Sequence, residues 1–312
     1  MENRILGLHH ITAIAGEAQR NYDFYTKVLG LRLVKKTVNF DDPGTYHFYY
    51  GDETGTPGSI LTFFPWEGIQ KGSTGTGMAT EIGYSVPKGS LAFWADRFEE
   101  LKVKHAPVAE RFGEQYLAFE DPDGLLLNLV ETGDTDNRKA WTTATIAEEQ
   151  ATKGFHSVVL TLRDHNATAK VLTDILGYQQ TAQEGSRLRF TTDAIQTANI
   201  VDIVQEPNGN RGINAGGTNH HIAFRVKDDN LMMEFREKVR SAGLNITEKI
   251  DRNYFYSLYF REPGGVLFEL ASENPGFATD ETVSELGTHL MLPLQYERSR
   301  RKIEEVLPAL QQ

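Results

Sequence analysis

The sequence predicts an α+β protein built from four copies of one unit: a strand, a helix and three more strands. Three observations predict it. Residues 26–31 (TKVLGL) and 173–178 (TDILGY) align without gaps, each closing a helical stretch. Residues 121–129 (DPDGLLLNL) and 262–270 (EPGGVLFEL) match in the same way, each a Pro/Gly turn feeding an apolar strand. A short apolar strand and a helix also precede each of those two turns. Self-similarity at this scale marks a duplicated architecture.

The first module, about 5–66, opens on the strand-like run Leu8 to Ile14. A helix over Ala18 to Leu29 follows, with Tyr22, Tyr25 and Leu29 on one face and Gly30 as its stop. The second, about 76–132, begins at Ala79 to Tyr84, continues as a helix over Ser90 to Val103 and ends in the hairpin of 121–129. The third, about 153–205, begins at Gly154 to Leu160, and its helix runs through Leu172 to Leu176 before Gly177. The fourth, about 217–272, begins at Asn219 to Phe224, with a helix over Asn230 to Ala242 and the hairpin of 262–270. The expected organisation is a first half over 1–135, a linker over 136–152 and a second half over 153–272. The polar, Thr-rich character of the linker starts at Gly133. A helical tail over 273–312 follows, broken at Pro293 and Pro308.

Bulk properties narrow the function classes. A chain of 312 residues suits about two domains, and 39% hydrophobic with 24% charged residues is ordinary for a globular protein. The net charge of −11 disfavours nucleic acid and anionic membrane partners. The basic run Arg298 to Lys302 fits the solvated face of a terminal helix. The absence of cysteine excludes disulfides, thiolate metal sites and cysteine nucleophiles. Met1 to Leu8 is too short for a secretory apolar region, and no stretch approaches the roughly 18 apolar residues of a spanning helix, so a cytoplasmic location is expected.

Strand alternation selects the inward-facing side chains. In the fourth module Ile222, Phe224 and Val226 share the face of His220 and suit packing under a helix. His221, with Ala223 and Arg225, takes the other face, toward the concave side of a sheet. By the same rule His10 and Thr12 oppose His9, Ile11 and Ala13, and Glu269 opposes Phe268 and Leu270. A carboxylate interrupting an apolar strand needs a partner or a metal. Two neutral imidazoles and one carboxylate are the donor set of open non-haem Fe(II) sites, although Mn, Zn or Co accept it too. Three protein donors leave room for further ligands. A single His–His pair is more often a strand end with one solvated ring; the conjunction with Glu269 points to a metal. His47, His105, His156, His165 and His289 read as structural or surface residues.

With these residues placed, the chain resembles the vicinal oxygen chelate superfamily of glyoxalase I, fosfomycin and bleomycin resistance proteins and extradiol dioxygenases. The repeated module and the Glu269 that ends it carry the resemblance, which spans all but the linker and tail. Within that group the chain looks most like hydroquinone ring-cleaving dioxygenases. The runs Leu8-His9-His10-Ile11-Thr12 and Asn219-His220-His221-Ile222, with Arg252, Tyr259 and Glu269 at family-like spacing, carry it.

The resemblance implies iron ligands His10, His221 and Glu269, and a substrate pocket lined by His9, Thr12, His220, Arg252 and Tyr259. It also implies that the first and fourth modules share one cup. In the other cup the equivalent positions hold Glu81, Asn128 and Ser157. The implied reaction is Fe(II)-dependent cleavage of a hydroquinone- or catechol-type ring with O2. His9 or His220 would move the substrate's proton, Tyr259 would donate a hydrogen bond, and Arg252 would stabilise negative charge. Members of that superfamily often associate, which leaves a homo-oligomer open. Two alternatives stand beside this reading. One is a glyoxalase-like isomerase or thiol transferase, which draws two carboxylates into a four-ligand site. The other is a non-catalytic binder of aromatic drugs or quinones, which needs no triad.

Overall fold

Sixteen strands in four sets of four make up the computed structural model, which describes residues 4–133 and 136–312. The boundary expected at 135 and the start of the Met1–Leu8 segment fall outside the described residues. The first set is β1 (Leu8–Ala15), β2 (Arg32–Asn39), β3 (Asp42–Gly51) and β4 (Ile60–Pro65). The second is β5 (Met78–Pro87), β6 (Ala109–Arg111), β7 (Glu114–Glu120) and β8 (Leu126–Thr132). The third is β9 (Phe155–Leu162), β10 (Gln179–Glu184), β11 (Arg187–Thr191) and β12 (Ile200–Gln205). The fourth is β13 (Thr218–Val226), β14 (Ile250–Asp251), β15 (Tyr256–Arg261) and β16 (Leu267–Ser272). One helix follows the first strand of each set: α1 (Ala18–Asp23), α2 (Leu91–Glu100), α3 (Asn166–Lys170) and α4 (Asp229–Ser241).

The sets combine out of sequence order. One eight-stranded sheet runs β14-β15-β16-β13-β1-β4-β3-β2, joining the first and fourth modules. The other runs β10-β11-β12-β9-β5-β8-β7-β6, joining the third and second. In every module the last strand pairs parallel to the first, and first strands of partner modules pair antiparallel. First strands therefore occupy the middle of each sheet, where both faces are covered. All eight residues of β1 and of β9 are buried. This placement brings His10 and His221 onto adjacent central strands.

Two helices depart from their expected form. The stretch expected as one helix over Ala18 to Leu29 is α1 followed by a π-helical turn over Phe24–Val28. The Leu29 N–H donates to the Phe24 carbonyl at 3.1 Å, one residue wider than an α-helical bond. The third module repeats this: α3 passes into a π turn over Val171–Ile175. Gly30 and Gly177 end both in the left-handed region at φ 69° and 78°. The helix expected in the tail is α5 (Arg300–Val306), preceded by 3-10 turns at Phe277–Thr279 and Leu294–Ser299. Irregular chain connects them along β2, where the Met291 N–H donates to the Lys36 carbonyl. Of the tail leucines, Leu286 and Leu292 pack inside while Leu294 is exposed. No helix among the described residues is long and apolar enough to cross a membrane.

Candidate metal centre

The register of the first sheet assembles the site. His10 pairs with Ala223, Ala223 with Glu269, and Glu269 with Tyr259, so these four form one row across β1, β13, β16 and β15. Thr12 pairs with His221 in the neighbouring row. His10 and Glu269 are two strands apart, roughly 10 Å along the sheet. Only a methyl group stands between them, because the intervening residue is the fully buried Ala223. Their side chains meet above it. Ala223→Leu should therefore drive a branched side chain into that gap, where overpacking costs about 1–3 kcal/mol. Metal affinity, read by competition with a chromophoric chelator, should weaken about tenfold or more; unchanged affinity would show that the gap is not needed.

His10 Nε2 and His221 Nε2 lie 3.2 and 2.9 Å from the same Glu269 oxygen, Oε2. One donor atom from each of the three residues lies within 4.8 Å of the others. The second carboxylate oxygen accepts from the Ser257 hydroxyl. His221 Nε2 and Glu269 Oε2 are buried and have no hydrogen-bond partner among the described residues. Leaving such groups unmatched costs about 1–3 kcal/mol each. Two orphaned lone pairs aimed at one point, with a third beside them, fit a divalent cation. Burial alone would raise the Glu269 pKa; the adjacent His10 and His221 rings overcome it and hold the carboxylate well below its usual range. Burial pushes the His221 pKa down against the pull of Glu269, which favours the neutral ring that can ligate a metal.

The doubled histidines act through their partners. His9 Nδ1 is 2.9 Å from His10 Nδ1, and His220 Nδ1 is 2.8 Å from His221 Nδ1. A neutral imidazole whose Nε2 lone pair faces a metal carries its proton on Nδ1. With a metal on both Nε2 atoms, His10 and His221 would donate to the histidines before them, and those rings would carry their own protons on Nε2.

A cavity of about 360 Å³ opens above the triad. Thr12, His220, Arg252 and Tyr259 line it, with His10 and His221 at its base and Phe64, Trp66 and Phe255 among its apolar walls. Phe255 packs 4.9 Å from the His10 ring. His9 does not line it. It is buried beside His10, 2% exposed, at a register shift of β1 between Leu8 and His10, and its ring packs 5.2 Å from Phe255. Arg252 has neither of its sequence neighbours Asp251 or Glu248 as partner. Its Nε donates to the Tyr259 hydroxyl at 3.3 Å, and Asp41 lies 3.9 Å from its Nη1. Glu248 instead pairs with Arg236.

His47, expected to be structural or surface, also lines the cavity. The signal was present: in β3, Tyr46, Phe48 and Tyr50 share one buried face, which turns His47 and Tyr49 toward the cup. Asn39 and Phe40, at the end of β2, were likewise not singled out and line it too.

The second sheet holds a larger cavity, about 610 Å³, beside His156 and Glu114. Several charged groups of this sheet pair with one another. Glu81 meets Arg187, Arg111 and Asn128, while His156 bonds to Ser157 and Glu114. Among the described residues the group of donors converging on one point is His10, His221 and Glu269.

Comparison with known proteins agrees with this fold. The pattern of the Glyoxalase/Bleomycin resistance protein/Dioxygenase superfamily matches residues 7–129 and 154–270. The chain is 46% identical over 98% of its length to a Bacillus subtilis (strain 168) protein named "Putative ring-cleaving dioxygenase MhqO", 97% of which is covered. It is 34% identical over 95% of its length to the chlorohydroquinone/hydroquinone 1,2-dioxygenase of Sphingobium indicum, covering 94% of that protein. The crystal structure of a "putative dioxygenase" from Bacillus subtilis superposes with a TM-score of 0.94 at 45% identity, over 99% of this chain and 98% of that one. The chain thus belongs to the glyoxalase/bleomycin resistance protein/dioxygenase superfamily.

Proposed function

We propose that this protein is a ring-cleaving dioxygenase, with Fe(II) as its metal and a diphenol of the hydroquinone or catechol type as its substrate. The observation that carries the reading is the convergence of His10, His221 and Glu269 at the base of an aromatic-walled cavity. The names of full-length relatives support it, one of them a chlorohydroquinone/hydroquinone 1,2-dioxygenase. Two imidazoles and one carboxylate are the donor set of oxygen-activating non-haem iron. Fe(II) held there would supply Lewis acidity toward a ring hydroxyl and one-electron chemistry toward O2.

The chain's own residues bind, orient and hold protons. Phe64, Trp66 and Phe255 offer ring faces for the substrate and exclude water. Arg252, which the Tyr259 hydroxyl braces, offers fixed positive charge to a ring oxygen that loses its proton. Burial pushes the His220 pKa down to about 3, so this ring is neutral. Its Nδ1 accepts from His221, so it presents Nε2–H to the cavity. It therefore stabilises an oxygen anion as a donor, and it does not accept the substrate's proton. His9, buried beside His10 with their Nδ1 atoms 2.9 Å apart, sets the orientation of that ligand.

The test is anaerobic reconstitution with Fe(II), followed by metal quantitation and oxygen-electrode traces with hydroquinones and catechols. We expect about one iron per chain and O2 uptake matched to loss of the diphenol. Bound Zn or Ni with turnover of a hemithioacetal would instead favour a glyoxalase-like isomerase. Flat oxygen traces from iron-loaded protein that still binds diphenols would favour a binding protein.

A further inference from the structure

One hydrogen-bonded chain at the cavity has no part in the scheme above. Thr62 on β4 pairs with Thr12 on β1 and with Tyr49 on β3. The Tyr49 hydroxyl is 3.0 Å from His47 Nδ1, and His47 Nε2 is 2.9 Å from Thr62 Oγ1. Thr62 Oγ1 is in turn 2.9 Å from Thr12 Oγ1. Thr12, His47 and Tyr49 line the cavity, whereas Thr62 is fully buried behind it.

The ends of this chain set the order of its protons. Tyr49 is 1% exposed, and its O–H has His47 Nδ1 as its acceptor among the described residues. A buried hydroxyl proton without an acceptor is costly, so Tyr49 donates. Burial holds His47 well below its ordinary pKa, which leaves a neutral ring with one N–H. That N–H is on Nε2 and donates to Thr62. The Thr62 hydroxyl then donates to Thr12, whose oxygen is occupied as an acceptor and whose own proton points to the remaining open side, the cavity. The opposite order would strand the Tyr49 proton.

We propose that His47 is a positioning residue which, through Thr62, fixes the Thr12 hydroxyl as a hydrogen-bond donor to an oxygen acceptor on the bound aromatic ring. The identity of the ring rests on the dioxygenase reading; the proton order does not. Thr12 follows His10 by two residues on the same face and pairs with His221, so the donor stands beside the metal donors. Hydroxylated or alkoxylated rings satisfy it, and rings bearing only hydrogen-bond donors do not.

Thr62→Val removes the link without touching the cavity wall. Hydroquinone binding to Zn(II)-loaded protein, followed anaerobically by quenching of Trp66 fluorescence, should weaken about three- to tenfold. Metal content should be unchanged, and Thr62→Ser should restore the wild-type Kd. A second measurement needs no substrate and no variant at position 62: nitrogen-15 NMR of the Zn(II)-loaded protein, with the His47 signal assigned through His47→Gln. It should show the Nε2–H tautomer. An Nδ1–H tautomer, or equal hydroquinone affinity in wild type and Thr62→Val, overturns the proposal. Wild type that binds no hydroquinone yet shows Nε2–H at His47 overturns the dioxygenase reading and the ligand assigned to Thr12, and leaves the proton order standing.

Discussion

His221→Ala is expected to abolish metal retention and, with it, oxygen consumption. The substitution removes one of two imidazole donors and leaves His10 and Glu269, which stand on strands separated by β13. Two donors do not enclose a cation that three hold. Iron per chain should fall from near one to below about a tenth. Because bound metal supplies several kcal/mol of charge stabilisation, turnover should drop roughly a thousandfold or more. A thermal readout separates this from misfolding. Metal that binds only the native state raises its melting temperature by mass action, so Fe(II) should stabilise the wild type and leave His221→Ala unmoved. A variant that consumes O2 with a hydroquinone at the wild-type rate would refute the role of the triad.

The second large effect is one of stability. Lys35 on β2 is fully buried, and its Nζ lies 2.5 Å from both Asp280 and Glu281 of the tail. The Tyr254 hydroxyl donates to the same Asp280 at 2.9 Å. Lys35→Met keeps most of the packing and leaves the buried Glu281 carboxylate without its cation. Breaking one side of a buried ion pair costs about 3–5 kcal/mol, and denaturant unfolding should show a loss of that size. Adding Asp280→Asn and Glu281→Gln should recover about half of it or more, because neutral polar groups bury at lower cost. A loss below about 1 kcal/mol would mean that solvent reaches the pair. The effect should extend to the site. Phe277 of the tail packs 5.1 Å from Tyr49 and 5.2 Å from Tyr254, and all three join Phe255 in a buried cluster against the metal cup. The variant should therefore also lose metal faster on dialysis.

How much of this was legible in the sequence depended on which physical signal each feature left. The module boundaries showed in turn chemistry and in repeated phrases, and strand alternation pointed to the triad, although β1 and β13 are irregular at the doubled histidines and His220 lines the same cavity as His221. Glu269 was conspicuous as a charge inside an apolar strand. The joining of the first and fourth modules came from family resemblance, because nothing local to the chain says which first strands will pair. His47 was passed over because its neighbours are aromatic and its strand looked like core, although the alternation rule applied to β3 as well. The position of His9 outside the cavity and the Nδ1–Nδ1 contacts go with register shifts where β1 and β13 pair, which leave no trace in residue spacing. The π turns after α1 and α3 share the composition of an ordinary helix end, so the pattern read them as more helix. Of the partners of Arg252, Tyr259 lies seven residues on, while Asp41 comes from the first module, a pairing that nothing local to the sequence indicates.

The most direct test of the central claim is anomalous X-ray diffraction at the iron edge, from crystals of protein loaded anaerobically with Fe(II). The account predicts one strong peak within bonding distance of His10 Nε2, His221 Nε2 and a Glu269 oxygen, open toward the cavity that Thr12 and Arg252 line. No peak at that point, or the main peak at another cluster such as His156 and Glu114, would contradict it.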